Sequence, residues 1–384
     1  MKKNYFLLAA TTMMFAACAQ SDLVNEIAVE ETPQAIEFET FANKATRATE
    51  NSEESYIEND LNNHHTNFIV WGYKNISNNK VFNGVTVSYN NGWDYATESV
   101  DKVYWDKTAT RYDFYAAAPA TTSFWTLNNN NTENNNTDDY ITTAQFVVAS
   151  HNAASYQATT DATKSFENKG VTDLMIAAEN YLEKEVGDVP TNPVDLNFIH
   201  ILSRLNVTVK ASIDNVTVKN ITVGNIKSTG SFNESLSSGD DLVAGVYSRW
   251  TLVTEQSEGV TVTPTVDYTN TTAQQLTKNT SLIAIEALVI PQLAGVETVQ
   301  LNSTDFSTYE QPYLYISYDI NGENYTQAFN LADVFKGTAT TATAVAFNEG
   351  WQNTLNIIIN PGTIEFEANV AAWDDNTTNT ETIQ

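Results

Sequence analysis

Val194-Asp195-Leu196-Asn197-Phe198-Ile199-His200-Ile201-Leu202-Ser203-Arg204-Leu205-Asn206-Val207-Thr208-Val209 is the stretch that decides the fold class. Its apolar residues return at every second position, the period of a pleated strand rather than of a helix. Leu196, Phe198 and His200 share one phase, and Leu205, Val207 and Val209 keep a second. The change of phase near Ser203-Arg204 predicts a bulge or a short turn. The same grammar extends in both directions. Phe68-Ile69-Val70-Trp71-Gly72-Tyr73 reads as a buried run. Val85, Val87 and Tyr89 alternate into Asn90-Asn91-Gly92, which accepts positive φ and predicts a hairpin. Tyr104-Trp105 and Arg111-Tyr112-Asp113-Phe114-Tyr115 read as a further strand pair, ended by Pro119. Asn321-Gly322 predicts the turn between Tyr313–Ile320 and Tyr325–Phe329, and Leu355, Ile357 and Ile359 lead to the last strand. Helix is confined to Leu331–Lys336. Short strands with frequent turn signals make an all-β chain of sandwich type.

Composition agrees. Only 17% of the 384 residues are charged, while Tyr (18) and Phe (17) suit half-buried pleated faces. Lys and Arg total 19 against 47 Asp and Glu, a formal net charge of −28. Such a surface repels nucleic acid and anionic lipid, which excludes both as partners. The length suits two domains of ordinary size. An acidic, proline-bearing stretch from Glu179 to Pro193 divides them into 48–193 and 194–384. Asn128 to Asp139 is an Asn/Thr/Asp loop with almost nothing apolar to bury.

The first residues carry an address. Lys2 and Lys3 precede an apolar run, Tyr5 to Ala17, too short to span a bilayer and fit for a signal peptide, 1–17. It ends Ala16-Ala17-Cys18. Small residues directly before a cysteine resemble a bacterial lipobox, in which Cys18 becomes the acylated first residue; the other reading is an ordinary signal peptide with an incidental cysteine. Cys18 is the single cysteine, so no internal disulfide exists. Ala19-Gln20-Ser21-Asp22 resembles a surface-export tag, and acyl chains would add about 0.8 kcal/mol per buried CH₂. Residues 18–47 then form a lipidated propeptide. It contains an acidic leash with Pro33 and an alternating strand, Ile36-Glu37-Phe38-Glu39-Thr40-Phe41. Arg47-Ala48 follows, an exposed arginine in a polar segment of the kind a trypsin-like, arginine-specific protease cuts.

Chemistry for catalysis is missing. His64, His65, His151 and His200 show no zinc-ligand spacing; His200, on an apolar strand, reads as a satisfied core or interface histidine. There is no nucleophile elbow and no phosphate-binding glycine loop. Asp319-x-Asn321-x-Glu323 resembles the start of a calcium loop but lacks the distal acid. No catalytic residue, metal site or cofactor is expected. Among the tryptophans, Trp125 beside the Asn-rich loop is the candidate for a glycan contact; the others read as core.

The two ends of the chain resemble each other. Ile36-Glu37-Phe38-Glu39 recurs as Ile364-Glu365-Phe366-Glu367, continued by Ala368 and Val370 in the same phase. Two amphipathic strands can share four residues without consequence. The sharper reading makes Ile36 and Phe38 part of a removable first strand and Ile364, Phe366, Ala368 and Val370 part of a donor strand. Cutting the first strand away leaves an unpaired edge and an apolar groove, and a like strand from another copy fills it by β-augmentation. Head-to-tail insertion does not close on itself, so it builds a filament.

At this point the chain resembles the fimbrillin family, the Mfa-like fimbrial subunits of type V pili. The resemblance rests on Ala17-Cys18, Lys44-Ala45-Thr46-Arg47-Ala48, Tyr112-Asp113-Phe114-Tyr115-Ala116 with Pro119, Asp173-Leu174-Met175, Leu196-x-Phe198-x-His200, and Ile364-x-Phe366 with Val370-x-x-Trp373. It implies two tandem transthyretin-like β-sandwich domains with little helix. It also implies a lipoprotein precursor at the outer membrane surface, cleavage after Arg47, and a fimbria built with other subunits through a C-terminal donor strand, with a role in adhesion. The alternative is a non-polymerising surface lipoprotein that binds a glycan or protein of a host or bacterial surface. A hydrolase is a third reading without named residues.

Overall fold

The computed structural model describes residues 33–42, 65–75, 80–90, 92–95, 101–120, 123–128, 139–148, 173–235, 249–253, 255–257, 260–262, 264–294, 309, 311–336 and 346–372. Cys18, Arg47, Ala48 and Trp373 lie outside them. From Gln34 onward the chain forms one unit.

The first sheet contains β1 (Phe38–Ala42), β2 (Asn67–Lys74), β3 (Lys80–Tyr89), β4 (Trp93–Asp94), β5 (Arg111–Ala118), β6 (Met175–Glu183) and β7 (Val194–His200). Their spatial order is β1-β7-β6-β5-β2-β3-β4. All neighbours are antiparallel except β1 and β7, which run parallel. The two ends of this path approach one another, β1 lying against β4, so the sheet curls around an interior. That interior takes one phase of each strand: Phe68 and Val70 from β2, Phe114 and Ala116 from β5, Leu196 and Phe198 from β7. The other phase, Ile69, Trp71 and Tyr73 with Tyr115 and Ala117, is buried too. A sheet covered on both faces reads as an unbroken apolar run, which is why Phe68–Tyr73 shows little alternation. Its outer cover includes the ribbon Trp125–Asn128 paired with Tyr140–Thr143.

The second region is a sandwich. One layer orders β11 (Ser281–Val289), β8 (Ser203–Ala211), β14 (Trp351–Asn360) and β15 (Thr363–Ala372). The facing layer orders β10 (Thr265–Asn270), β9 (Val216–Lys227), β12 (Tyr313–Ile320) and β13 (Glu323–Asn330). Leu205, Val207 and Val209 from one layer meet Ile221, Val223, Ile316 and Tyr268 from the other in a single core. That core is continuous with the outer face of the first sheet.

The division read at 193/194 would place Val194–His200 in the second domain. Its hydrogen bonds place it in the first sheet, and the chain changes sheet at Ile201-Leu202. The phase change read near Ser203-Arg204 as a bulge or a short turn is that crossing, a short two-residue connection with a bend at Leu202. Ile201 N–H donates to Leu174 O at 3.0 Å, while Leu202 O accepts at 2.9 Å from the N–H of Gly350, in the turn before Trp351–Asn360 of the other sheet. Asn321 and Gly322 both have positive φ (51° and 90°), and Ile320 pairs with Glu323, the two-residue hairpin expected of Asn-Gly. The helix α1 spans Leu331–Lys336. Asn330 Oδ1 accepts the Ala332 N–H at 2.9 Å and starts it.

Candidate functional site at the first strand

The site is the seat of the first strand. Its alternation sorts the side chains: Ile36, Phe38 and Thr40 point inward and are buried, whereas Glu37 and Glu39 are exposed. Two different elements hold it. Along its second half, Phe38 to Ala42 run beside Val194 to Phe198 of β7. Along its first half, Ile36 N–H donates to Val103 O at 2.8 Å and Trp105 N–H donates to Gln34 O at 3.0 Å. Between the halves, Val194 N–H donates to Glu37 O at 2.8 Å. The strand therefore bridges a sheet edge and the segment 103–105. The sequence reading paired Tyr104-Trp105 with Arg111–Tyr115. Instead, Tyr104 bridges to Ala35, and Arg111–Ala118 pairs with β2 and β6.

Phe38 is the centre of the seat. Its ring lies 5.3 Å from Phe82, 5.8 Å from Phe114, 6.0 Å from Tyr95 and 6.1 Å from Phe68, each in an edge-to-face arrangement. Gly72 makes that cage possible: a Cβ there would stand 2.9 Å from Phe82 and 3.0 Å from Phe114. Tyr95 closes the wall. Its hydroxyl donates to Ile36 O at 2.9 Å and accepts the Val103 N–H at 3.1 Å. Burial raises its pKa above the usual phenol value, with Val103 and Lys102 opposing the rise and Asp94 and Glu37 adding to it, so the donor proton stays in place at neutral pH. Sequence reasoning missed Tyr95, Val103 and Trp105. No local signal marks a residue whose partner lies on a strand about sixty to seventy positions away in the chain.

The tail sits elsewhere. Among the described residues β15 pairs with β14 alone, at the edge of its layer, through the turn at Gly362. Ile364 and Phe366 are half-buried, Ala368 is buried, and Glu365 and Glu367 are exposed. Phe366 lies edge-on to Phe329, 4.7 Å between centroids. The backbone of Val370 pairs with Asn353. The first strand and its look-alike thus have the same inward phase, and both lie on the edge of a sheet.

Trp125 is not available to a sugar. It is 3% exposed and its indole N–H donates to Pro119 O at 2.9 Å. The ribbon it belongs to covers the first sheet, so a tryptophan beside a polar loop is here a core residue. His200 is buried with its Nδ1 2.7 Å from Asp173 Oδ2. Asp319 is engaged by Lys219 at 2.7 Å, and Glu323 accepts from the Tyr325 hydroxyl at 3.0 Å. No group of three potential metal ligands occurs among the described residues.

No curated protein matches the sequence. Among solved structures, a fimbrial protein from Bacteroides vulgatus is similar at 13% identity and a TM-score of 0.46, over 88% of this chain and 99% of its own. A candidate cell adhesion protein from Bacteroides uniformis is similar at 14% identity and a TM-score of 0.44, over 88% and 98%. The tip fimbrial protein Mfa3 from Porphyromonas gingivalis is similar at 11% identity and a TM-score of 0.38, over 82% and 96%. The decisive comparison is with a family of sequences described as Fimbrillin-like, which matches residues 46–373. That span covers most of the chain, and the protein belongs to the fimbrillin-like family.

Proposed function

We propose that this protein is a structural subunit of a surface fimbria, exported as a lipoprotein on Cys18 and made ready for assembly by a cut after Arg47. Membership of the fimbrillin-like family supports a fimbrial or adhesion subunit at the cell surface, working with other subunits. The finer reading concerns how they join. The observation that carries it is the seating of Ile36 and Phe38: two large side chains at 0% and 5% exposure on a strand at the sheet's edge. Loss of that strand would uncover the aromatic cage and the free edge of β7. Burial of each such side chain is worth roughly 1.5–3 kcal/mol, so the vacated groove would be a strong acceptor. The occupant proposed is the tail of another copy, with Ile364 and Phe366 taking the places of Ile36 and Phe38. Among the described residues the tail has a single ladder, so its departure breaks pairing with β14 and gives up the packing of Ala368 and of Phe366 on Phe329.

The test uses the full chain and an arginine-specific protease. Expected are an N-terminus at Ala48 and a ladder of oligomers that resists SDS until heated. A protein that loses its first 47 residues cleanly and stays monomeric overturns the reading. The glycan-binding alternative loses its named residue with the burial of Trp125.

A further inference from the structure

The seat of the first strand has a direction. Its present occupant runs parallel to β7 and antiparallel to segment 103–105. Ala35 lies opposite Tyr104, flanked by the bonds from Ile36 N–H to Val103 O and from Trp105 N–H to Gln34 O. The two residues are thus a directly opposed pair of the kind whose side chains share one face. Tyr104 is 51% exposed, between half-buried Val103 and buried Trp105. A tyrosine standing in the open at the entry of a groove is a side chain that protein interfaces favour.

The tail fixes what would cover it. In the register that sets Ile364 and Phe366 in the places of Ile36 and Phe38, Thr363 falls on Ala35 and Gly362 on Gln34. Pro361, Gly362 and Thr363 are all exposed, and Asn360, the end of β14, pairs with Thr363. Strand residues advance about 3.3 Å each, so Gly362 of the donating copy would lie about 7 Å from the place of Ile36. A connection this short brings the donating body up to the entry of the seat. We infer that Tyr104 is a subunit contact, its ring covered by Thr363 and the Pro361-Gly362 turn of the next copy. Successive bodies then abut where the donated strand enters. This rests on the exchange proposed above and adds to it a register and a contact outside the groove.

Cysteine pairs test the contact. Cys18 is the single cysteine and precedes the cut, so the cut chain has none. Tyr104→Cys in one cut copy and Thr363→Cys in another should join in a disulfide, since opposed strand residues bring their Cβ atoms about 4.5–5.5 Å apart. Ala35→Cys with Tyr104→Cys in the uncut chain, made with Cys18→Ser, is the intramolecular control. A polymer ladder without the mixed disulfide overturns the inference and leaves the exchange standing. Absence of a ladder in the cut parent rejects the exchange and the contact with it. Tyr104→Ala should leave the melting temperature of the intact chain unchanged and slow ladder formation about tenfold. A synthetic Ile364–Val370 peptide carries no body, so its binding to the cut chain should be the same in Tyr104→Ala as in the parent. A parental assembly rate, or an equal loss of peptide binding, overturns the inference.

Discussion

The Tyr95 hydroxyl donates to the carbonyl of Ile36 at 2.9 Å across fifty-nine positions of sequence. This side-chain bond ties the wall of the first sheet to the backbone of the strand seated in it. The same oxygen accepts the Val103 N–H, so a single phenol joins the strand, the wall and segment 103–105. Tyr95→Phe leaves a buried carbonyl and a buried amide without that partner. Local opening of the first strand should become easier by about 1–3 kcal/mol, read as faster exchange of the Ile36 and Trp105 amides. Exchange at the parent rate would show that the phenol does not hold the strand.

Phe38 stands inside four rings, and its removal leaves their edges facing a void. Phe38→Ala should cost about 3–5 kcal/mol in the first sheet. The loss should appear as a lower denaturant midpoint. The variant should also lose its first strand to protease more quickly than the parent. A chain with unchanged stability would mean that the cage closes over the gap or never formed.

How much of this was legible in the sequence follows from the range of each interaction. The period of two in Leu196-x-Phe198-x-His200 is a local property of the backbone, and it appears as written. The inward phase of Ile36 and Phe38 is equally local. What the first strand pairs with is not local. Tyr104-Trp105 looked bound to the strand that follows, because near neighbours in sequence pair most often. Here Ala35 intervenes from far away. The crossing at Ile201-Leu202 left only a phase change, which a bulge would also produce. The Asp173-Leu174-Met175 and Leu196-x-Phe198-x-His200 fragments carried a family resemblance with no physical link between them. The structure supplies one in the 2.7 Å contact of Asp173 with His200. Trp125 was misplaced because a polar loop beside it suggested exposure, while the sheet beneath its ribbon offered burial.

Trp125→Ala therefore tests packing, not recognition. The substitution removes a buried indole and strands the Pro119 carbonyl. It should destabilise the protein by about 3–5 kcal/mol. Binding to a glycan array, if the parent has any, should be unchanged at temperatures where the variant is folded. A sugar signal lost in a variant of parental stability would restore the residue to the surface.

Acid should loosen the support of the first strand through Asp106. The Lys74 ammonium, 2.7 Å away, holds this carboxylate far below its ordinary value of 3.8, assisted by the Thr108 hydroxyl and amide. A carboxyl group whose folded-state value is depressed contributes stability that is fully present above the unfolded value. That contribution is lost as pH falls toward the folded one. The loss should thus begin near pH 4 and continue downward. Asp106 follows Trp105, whose amide bonds the Gln34 carbonyl, and the Asp106 amide itself donates to the Tyr112 hydroxyl at 2.7 Å. Protonation therefore acts on the segment that clasps the strand's first half. Asp106→Asn should lower the urea midpoint at neutral pH, because Lys74 loses its partner. It should also flatten the decline below about pH 4, because the titrating group is gone. A variant that declines as steeply as the parent over that window would place the acid sensitivity in other carboxylates.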